Sequence, residues 1–140
     1  ISVSNQDSDF VESLNSCNFR KIYGLISQSN MKKDFGSKSW LYPMPVLIVA
    51  AYDEQGVPNV MNAAWDGMFT DETIGICLSA GHKTTKNILA TRAFTVSMAT
   101  AEQMVACDYV GIESGNGVPD KVARAGFHVT KSERVDAPVI

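Results

Sequence analysis

The strongest constraint on this chain comes from one stretch, "PVLIVAAYDEQGVPNVMNAAW" at 45–65. A continuous apolar run at 45–52 is followed by the turn signal Asp53-Glu54-Gln55-Gly56 and a second apolar run. That order predicts a β-hairpin with buried strands. A third strand is expected at 73–79, "TIGICLS", after the turn residues Asp71 and Glu72. A fourth, "FTVSMA" at 94–99, is rich in β-branched residues. A short helix at about 83–90 lies between these two strands. The T-x-x-Q box of Thr100 and Gln103 opens another helix, reaching about Tyr109. Pro119-Asp120-Lys121 begins a third short helix that Gly126 closes. Closely spaced strands with short helices in their connections define a mainly β fold with helical insertions, a small β-barrel.

A chain of 140 residues is the size of one domain. With 45% hydrophobic and 19% charged residues and no apolar window of about 20 residues, a membrane span is not expected. The net charge of −3 gives no general attraction to nucleic acid. Cys17, Cys77 and Cys107 are widely spaced and contain no CxxC, so neither a disulfide framework nor a zinc or other metal site is indicated. A reducing cytoplasm fits, and Cys77 and Cys107 read as buried structural thiols. Residues 1–30 are polar and rich in Ser and Asn. Asp7 and Asp9 stand where a signal peptide would carry lysine, and only "KIYGLI" is apolar enough to pack. This segment is expected to be a loosely ordered leader without chemistry, preceding a domain at 31–140.

Two clusters carry candidate chemistry. The first is "SAGHKTTKNI" at 79–88, placed where a strand leads into a helix. Helix N-termini present unpaired N–H groups and a partial positive charge, which suit an anion such as phosphate. Thr84 and Thr85 add hydroxyls, Lys83 and Lys86 add charge, and Gly81 admits close backbone approach. No Asp or Glu occurs between Thr73 and Ala101, while His82, Lys83, Lys86 and Arg92 all do. The same residues also suit a helix start capped by Thr84 or Thr85 with solvated lysines, and His82 suits either a phosphate or a helix-start polar contact. Neither GxxxxGK[ST] nor GxGxxG is present.

The second cluster is "NVMNAAWDG" at 59–67. Asn62, Ala63 and Ala64 in succession offer strand backbone with little side-chain bulk, against which a flat ring could lie, with Trp65 as a wall. Alternatively, the alanines make room for a neighbouring helix and Trp65 fills the core.

Together, "SWLYPMPVLIVAAYDEQGVPNVMNAAW", "LSAGHKTTKNIL", "FTVSMAT" and "DYVGIESGNGVPDKVARAGF" resemble the flavin reductase-like FMN-binding split-barrel proteins, the flavoredoxin group in particular, from about Met31 to Ile140. The resemblance implies an FMN-binding split β-barrel. The FMN ring would lie against the strand Asn62, Ala63, Ala64 and Trp65, and its phosphate would be held by Ser79, Lys83, Thr84, Thr85 and Asn87. It further implies a homodimer, with NAD(P)H as electron donor and a flavin, protein or small molecule as acceptor. Flavin chemistry needs no protein nucleophile, and none is evident; His128 falls in a terminal strand region. Members of the family run on past the point matching Val139-Ile140, so the barrel is expected to be truncated at the C-terminus. Three functions follow: an FMN-dependent oxidoreductase, a flavin- or haem-binding or electron-carrier module, or a cofactor-free remnant of the fold.

Overall fold

The computed structural model describes residues 34–39 and 41–140. The expected leader at 1–30, with Cys17, lies outside the described residues. The chain divides into two compact units, and the described residues up to Pro43 belong to one, Met44–Ile140 to the other. In the first, the Gly36 amide donates to Asp34 Oδ1 at 2.8 Å, and the Tyr42-Pro43 bond is cis.

The second unit is organised by the expected hairpin. Strands β1 (Leu47–Tyr52) and β2 (Pro58–Ala63) pair antiparallel, from Leu47 opposite Ala63 to Tyr52 opposite Pro58. Asp53 builds the turn between them, accepting through Oδ1 from the Gln55 and Val57 amides at 3.1 and 2.9 Å. Gly56 takes φ +78°, a conformation that suits glycine.

β3 (Asp66–Thr70), β4 (Thr73–Ile76) and β5 (Thr95–Met98) follow, and β5 pairs with the free side of β1 to give the order β2-β1-β5. β1 is therefore a central strand covered on both faces, which explains a continuous apolar run where a half-exposed strand would alternate.

Helix α1 (Lys83–Thr91) covers one face, and α2 (Met104–Ile112) with α3 (Lys121–Arg124) covers the other. On the α1 side, Leu47, Val49 and Ala63 pack with Ile88, Phe94 and Val96. On the α2 and α3 side, Ile48, Ala50 and Val60 pack with Cys107, Val110 and Val122. Burial of Cys107 agrees with the sequence expectation.

β3 and β4 form a separate two-stranded sheet, as do β6 (Thr130–Lys131) and β7 (Pro138–Val139). The fold is thus mainly β with helical insertions, and its described strands do not close a barrel. No helix among the described residues is long and apolar enough to cross a membrane.

Three local expectations need correction. The helix read from Thr100 starts at Met104 and runs to Ile112. Only half of the capping box forms, with the Thr100 amide donating to Gln103 Oε1 at 3.1 Å, and the residues between make a turn. The strand at 73–79 ends at Ile76, although the Cys77 amide still donates to the Trp65 carbonyl at 2.8 Å. Cys77 is exposed where a buried thiol was expected, because it lies just past the end of a short two-stranded sheet that no helix among the described residues covers.

Lys121 is buried at the start of α3. Its ammonium donates to the Val110 and Glu113 carbonyls, both at 2.8 Å, and so caps the C-terminal end of α2. Burial lowers its pKa, and the nearby Glu113 charge works in the opposite direction.

Candidate functional site

The N-terminus of α1 gathers most of the residues singled out in the sequence. A turn precedes it, with the Gly81 amide donating to Ser79 Oγ at 3.4 Å and the His82 amide to the Ser79 carbonyl at 3.2 Å. His82 is the N-cap in extended conformation, but no side chain caps the helix and its first turn contains no acid. The expectation that Thr84 or Thr85 caps the helix is therefore not met, since both lie inside it. The first-turn amides and the positive end of the helix dipole face the Ser79–His82 turn.

The hairpin of β1 and β2 supports this turn from below. Asn59 Nδ2 donates to Thr84 Oγ1 at 2.6 Å, and Asn87 Nδ2 donates to the Ala51 carbonyl at 3.4 Å. Thr84, Thr85 and Asn87 are all buried, whereas Ser79 and His82 are exposed. The Thr85 hydroxyl is the exception to the local satisfaction, being buried with no hydrogen-bond partner among the described residues. A buried hydroxyl left unpaired is costly, so it marks a place where a ligand atom would be stabilised.

Lys83 makes an ion pair with Asp53 at 3.2 Å. The stretch without acid in the sequence is thus not without acid in space. Partial burial pushes the Asp53 carboxyl up, but the amides of Val57 and Gln55 and the Lys83 ammonium outweigh it and hold the carboxyl below its ordinary value.

A third wall comes from the segment after α2. Asn116 Nδ2 donates to the Gly81 carbonyl at 3.1 Å. Gly115 lies so close to Asn59 that a Cβ there would stand 2.2 Å from Asn59 Oδ1.

The second cluster is divided by the strand geometry. Ala63 points to the α1 face with Leu47 and Val49. Asn62 is opposite Ile48 and faces α2, where a Cβ on Gly111 would come within 2.4 Å of its Nδ2, and its Oδ1 is buried without a partner. Ala64 follows the end of β2 half-buried, and Trp65 is 54% exposed, so it does not fill the core. Asp66, beginning β3, has a buried Oδ2 without a partner, and burial raises its pKa.

Sequence reasoning did not find Asp53, Asn59 or Asn116. Asn59 carried a readable signal as a polar residue inside an apolar strand. Asp53 and Asn116 carried none beyond ordinary turn composition.

Around the layered β1–β2 core, with α1 over its face and the polar turn at the helix start, residues 39–140 match the flavin reductase like domain, the family to which this chain belongs. Among solved structures, the flavoredoxin of Desulfovibrio vulgaris (Miyazaki F) is similar at 36% identity and a TM-score of 0.71, over 78% of this chain and 60% of that one. The FMN-binding domain of a flavin reductases-like enzyme from Shewanella baltica OS155 is similar at 26% identity and a TM-score of 0.61, over 68% of this chain and 50% of that one. The flavoredoxin from Methanosarcina acetivorans shares the fold at 24% identity and a TM-score of 0.65, over 78% and 59%. No curated protein matches the sequence. The chain spans between half and about 60% of the length of these three structures.

Proposed function

We propose that this chain binds FMN and acts as an oxidoreductase, passing electrons from NAD(P)H to a flavin, protein or small-molecule acceptor. The observation that carries the reading is the start of α1: an uncapped first turn without acid, beside a buried Thr85 hydroxyl that has no partner. A phosphate there would meet backbone N–H groups, the helix dipole and hydroxyl donors at once. Family membership and the similarity to the FMN-binding domain from Shewanella baltica favour the phosphate of FMN as that anion.

In this reading Ser79, His82, Lys83, Thr84, Thr85 and Asn87 form the phosphate cradle. Thr85 offers its unpaired hydroxyl, Ser79 and His82 border the opening, and Lys83 supplies charge. Thr84 and Asn87 are anchored to Asn59 and to the Ala51 carbonyl, so they brace the turn. The backbone of Asn62, Ala63, Ala64 and Trp65 provides the ring platform, with exposed Trp65 as a side wall. FMN, when bound, supplies the hydride acceptor and donor, and the chain contributes binding, orientation and electrostatics.

We read the functional unit as a homodimer. Met68, Phe69 and Met98 are each at least 70% exposed, an amount of open apolar surface that suits burial against a second copy.

The test is the purified protein itself. A flavin absorption spectrum, or tight binding of added FMN, supports the reading, and anaerobic bleaching by NADH or NADPH identifies the donor. Binding of FMN without bleaching would leave an electron carrier, and no binding of FMN would overturn the proposal.

A further inference from the structure

The ion pair between Lys83 and Asp53 sits at the mouth of the proposed cradle and brings opposite demands together. Lys83 is the first residue of α1, beside the uncapped turn and two residues from the buried, unpartnered Thr85 hydroxyl. Its ammonium lies 3.2 Å from Asp53 Oδ2, and the two side chains are 33% and 14% exposed. Asp53 is the fixed partner, because its other oxygen already accepts from the Gln55 and Val57 amides. A lysine side chain, with four rotatable bonds, is the mobile one.

We propose that Asp53 sets the affinity of the α1 anion site, holding Lys83 in an ion pair that an incoming phosphate must share or displace. The inference rests on the flavin phosphate reading above. Two effects act in the same direction. The phosphate has to compete with a carboxylate already in place for the same ammonium, and it has to approach that carboxylate's negative charge. Thr84 is held differently, by the neutral amide of Asn59, so its anchoring carries no such electrostatic opposition.

The experiment is Asp53→Asn, which keeps an oxygen acceptor for the two turn amides and removes the charge. FMN should bind about fivefold more tightly to the variant, in line with the strength of a partly exposed ion pair. Riboflavin, which lacks the phosphate, should change by less than about twofold, since no Coulombic contact is altered for it. In a Lys83→Met background the gain from Asp53→Asn should shrink. Persistence of the whole gain there would show simple repulsion and overturn the ion-pair mechanism.

Unchanged or weakened FMN binding in folded Asp53→Asn protein would also overturn it. Should neither protein bind any flavin, inorganic phosphate is the probe. A larger phosphate-induced rise in melting temperature for Asp53→Asn than for the parent would support the gate while removing its flavin ligand. Equal rises would overturn the gate.

Discussion

Two hairpins of similar length follow one another in this chain and meet different fates. β1 and β2 lie between α1 on one side and α2 with α3 on the other, and residues Leu47 to Ala51 are all buried. Among the described residues β3 and β4 pair only with each other, and their neighbourhood exposes Trp65, Met68, Phe69 and Ile74. The strands do not differ in kind, since both hairpins pair antiparallel and both have acidic turns. They differ in what covers them. Two-stranded ribbons are marginal in water, and a third strand plus a packed face turns the first hairpin into the core of the domain. The polar architecture follows the same division: the proposed cradle is hydrogen-bonded to the buried hairpin, through Asn59 and the Ala51 carbonyl.

The sharpest way to break this comparison is to truncate one apolar residue in each hairpin. Ile48→Ala should cost about 2–5 kcal/mol in urea unfolding, as a buried aliphatic residue losing its contacts does. At protein concentrations low enough to keep the chain monomeric, Phe69→Ala should stay within about 0.5 kcal/mol. Equal losses would show that the second hairpin is packed in solution.

Next in size is Gly115→Ala. The new methyl group has no room beside Asn59, and overpacking of this kind costs about 1–3 kcal/mol. FMN affinity should fall with it, because Asn59 braces Thr84. A wild-type melting curve would contradict the close approach.

Thr85→Val sharpens the comparison within the cradle. Replacing a buried, unpaired hydroxyl by a methyl group of similar shape should raise the stability of the ligand-free protein by about 1 kcal/mol while weakening FMN. A loss of stability would mean that the hydroxyl already has a partner.

The smallest effect is one of pH. Asp53 has a folded pKa below its ordinary value of 3.8, so its contribution to stability is complete above that value and is lost as pH falls through the lower folded one. The stability difference between the parent and Asp53→Asn should therefore be constant near neutrality and narrow below about pH 4. A difference that grows in acid would contradict the direction of the shift.

How much of this was legible depends on where each signal resides. β1 could be read because a central strand buried on both faces has no reason to alternate. β3, "DGMFT", could not, because every residue after Asp66 is exposed and leaves no apolar pattern. The α2 boundary was misplaced because a capping box also fits a turn, and Gln103 closes the turn ahead of the helix. Ser79 to Asn87 could be singled out as one cluster because they come from one contiguous run. Asp53 and Asn59 were missed because their partners lie 30 and 25 residues away, and no local rule links such positions. The stretch proposed as a ring platform was half legible: Ala63 and Ala64 were read as small, but alternation along β2 sends Asn62 to the opposite face.

Gly111 and Gly115 work on β2 as two notches of a key. Each accepts an asparagine side chain, Asn62 for the first and Asn59 for the second, at distances that no Cβ would permit. Sliding α2 and its following turn by one residue would bring Val110 or Ile112 against Asn62, and Ser114 or Asn116 against Asn59. Every such misalignment meets steric collision as well as lost contacts, so the helix has one seat on the sheet. Homologues should therefore change each asparagine together with its glycine or keep both, a paired constraint that would show up as covariation between β2 and the end of α2.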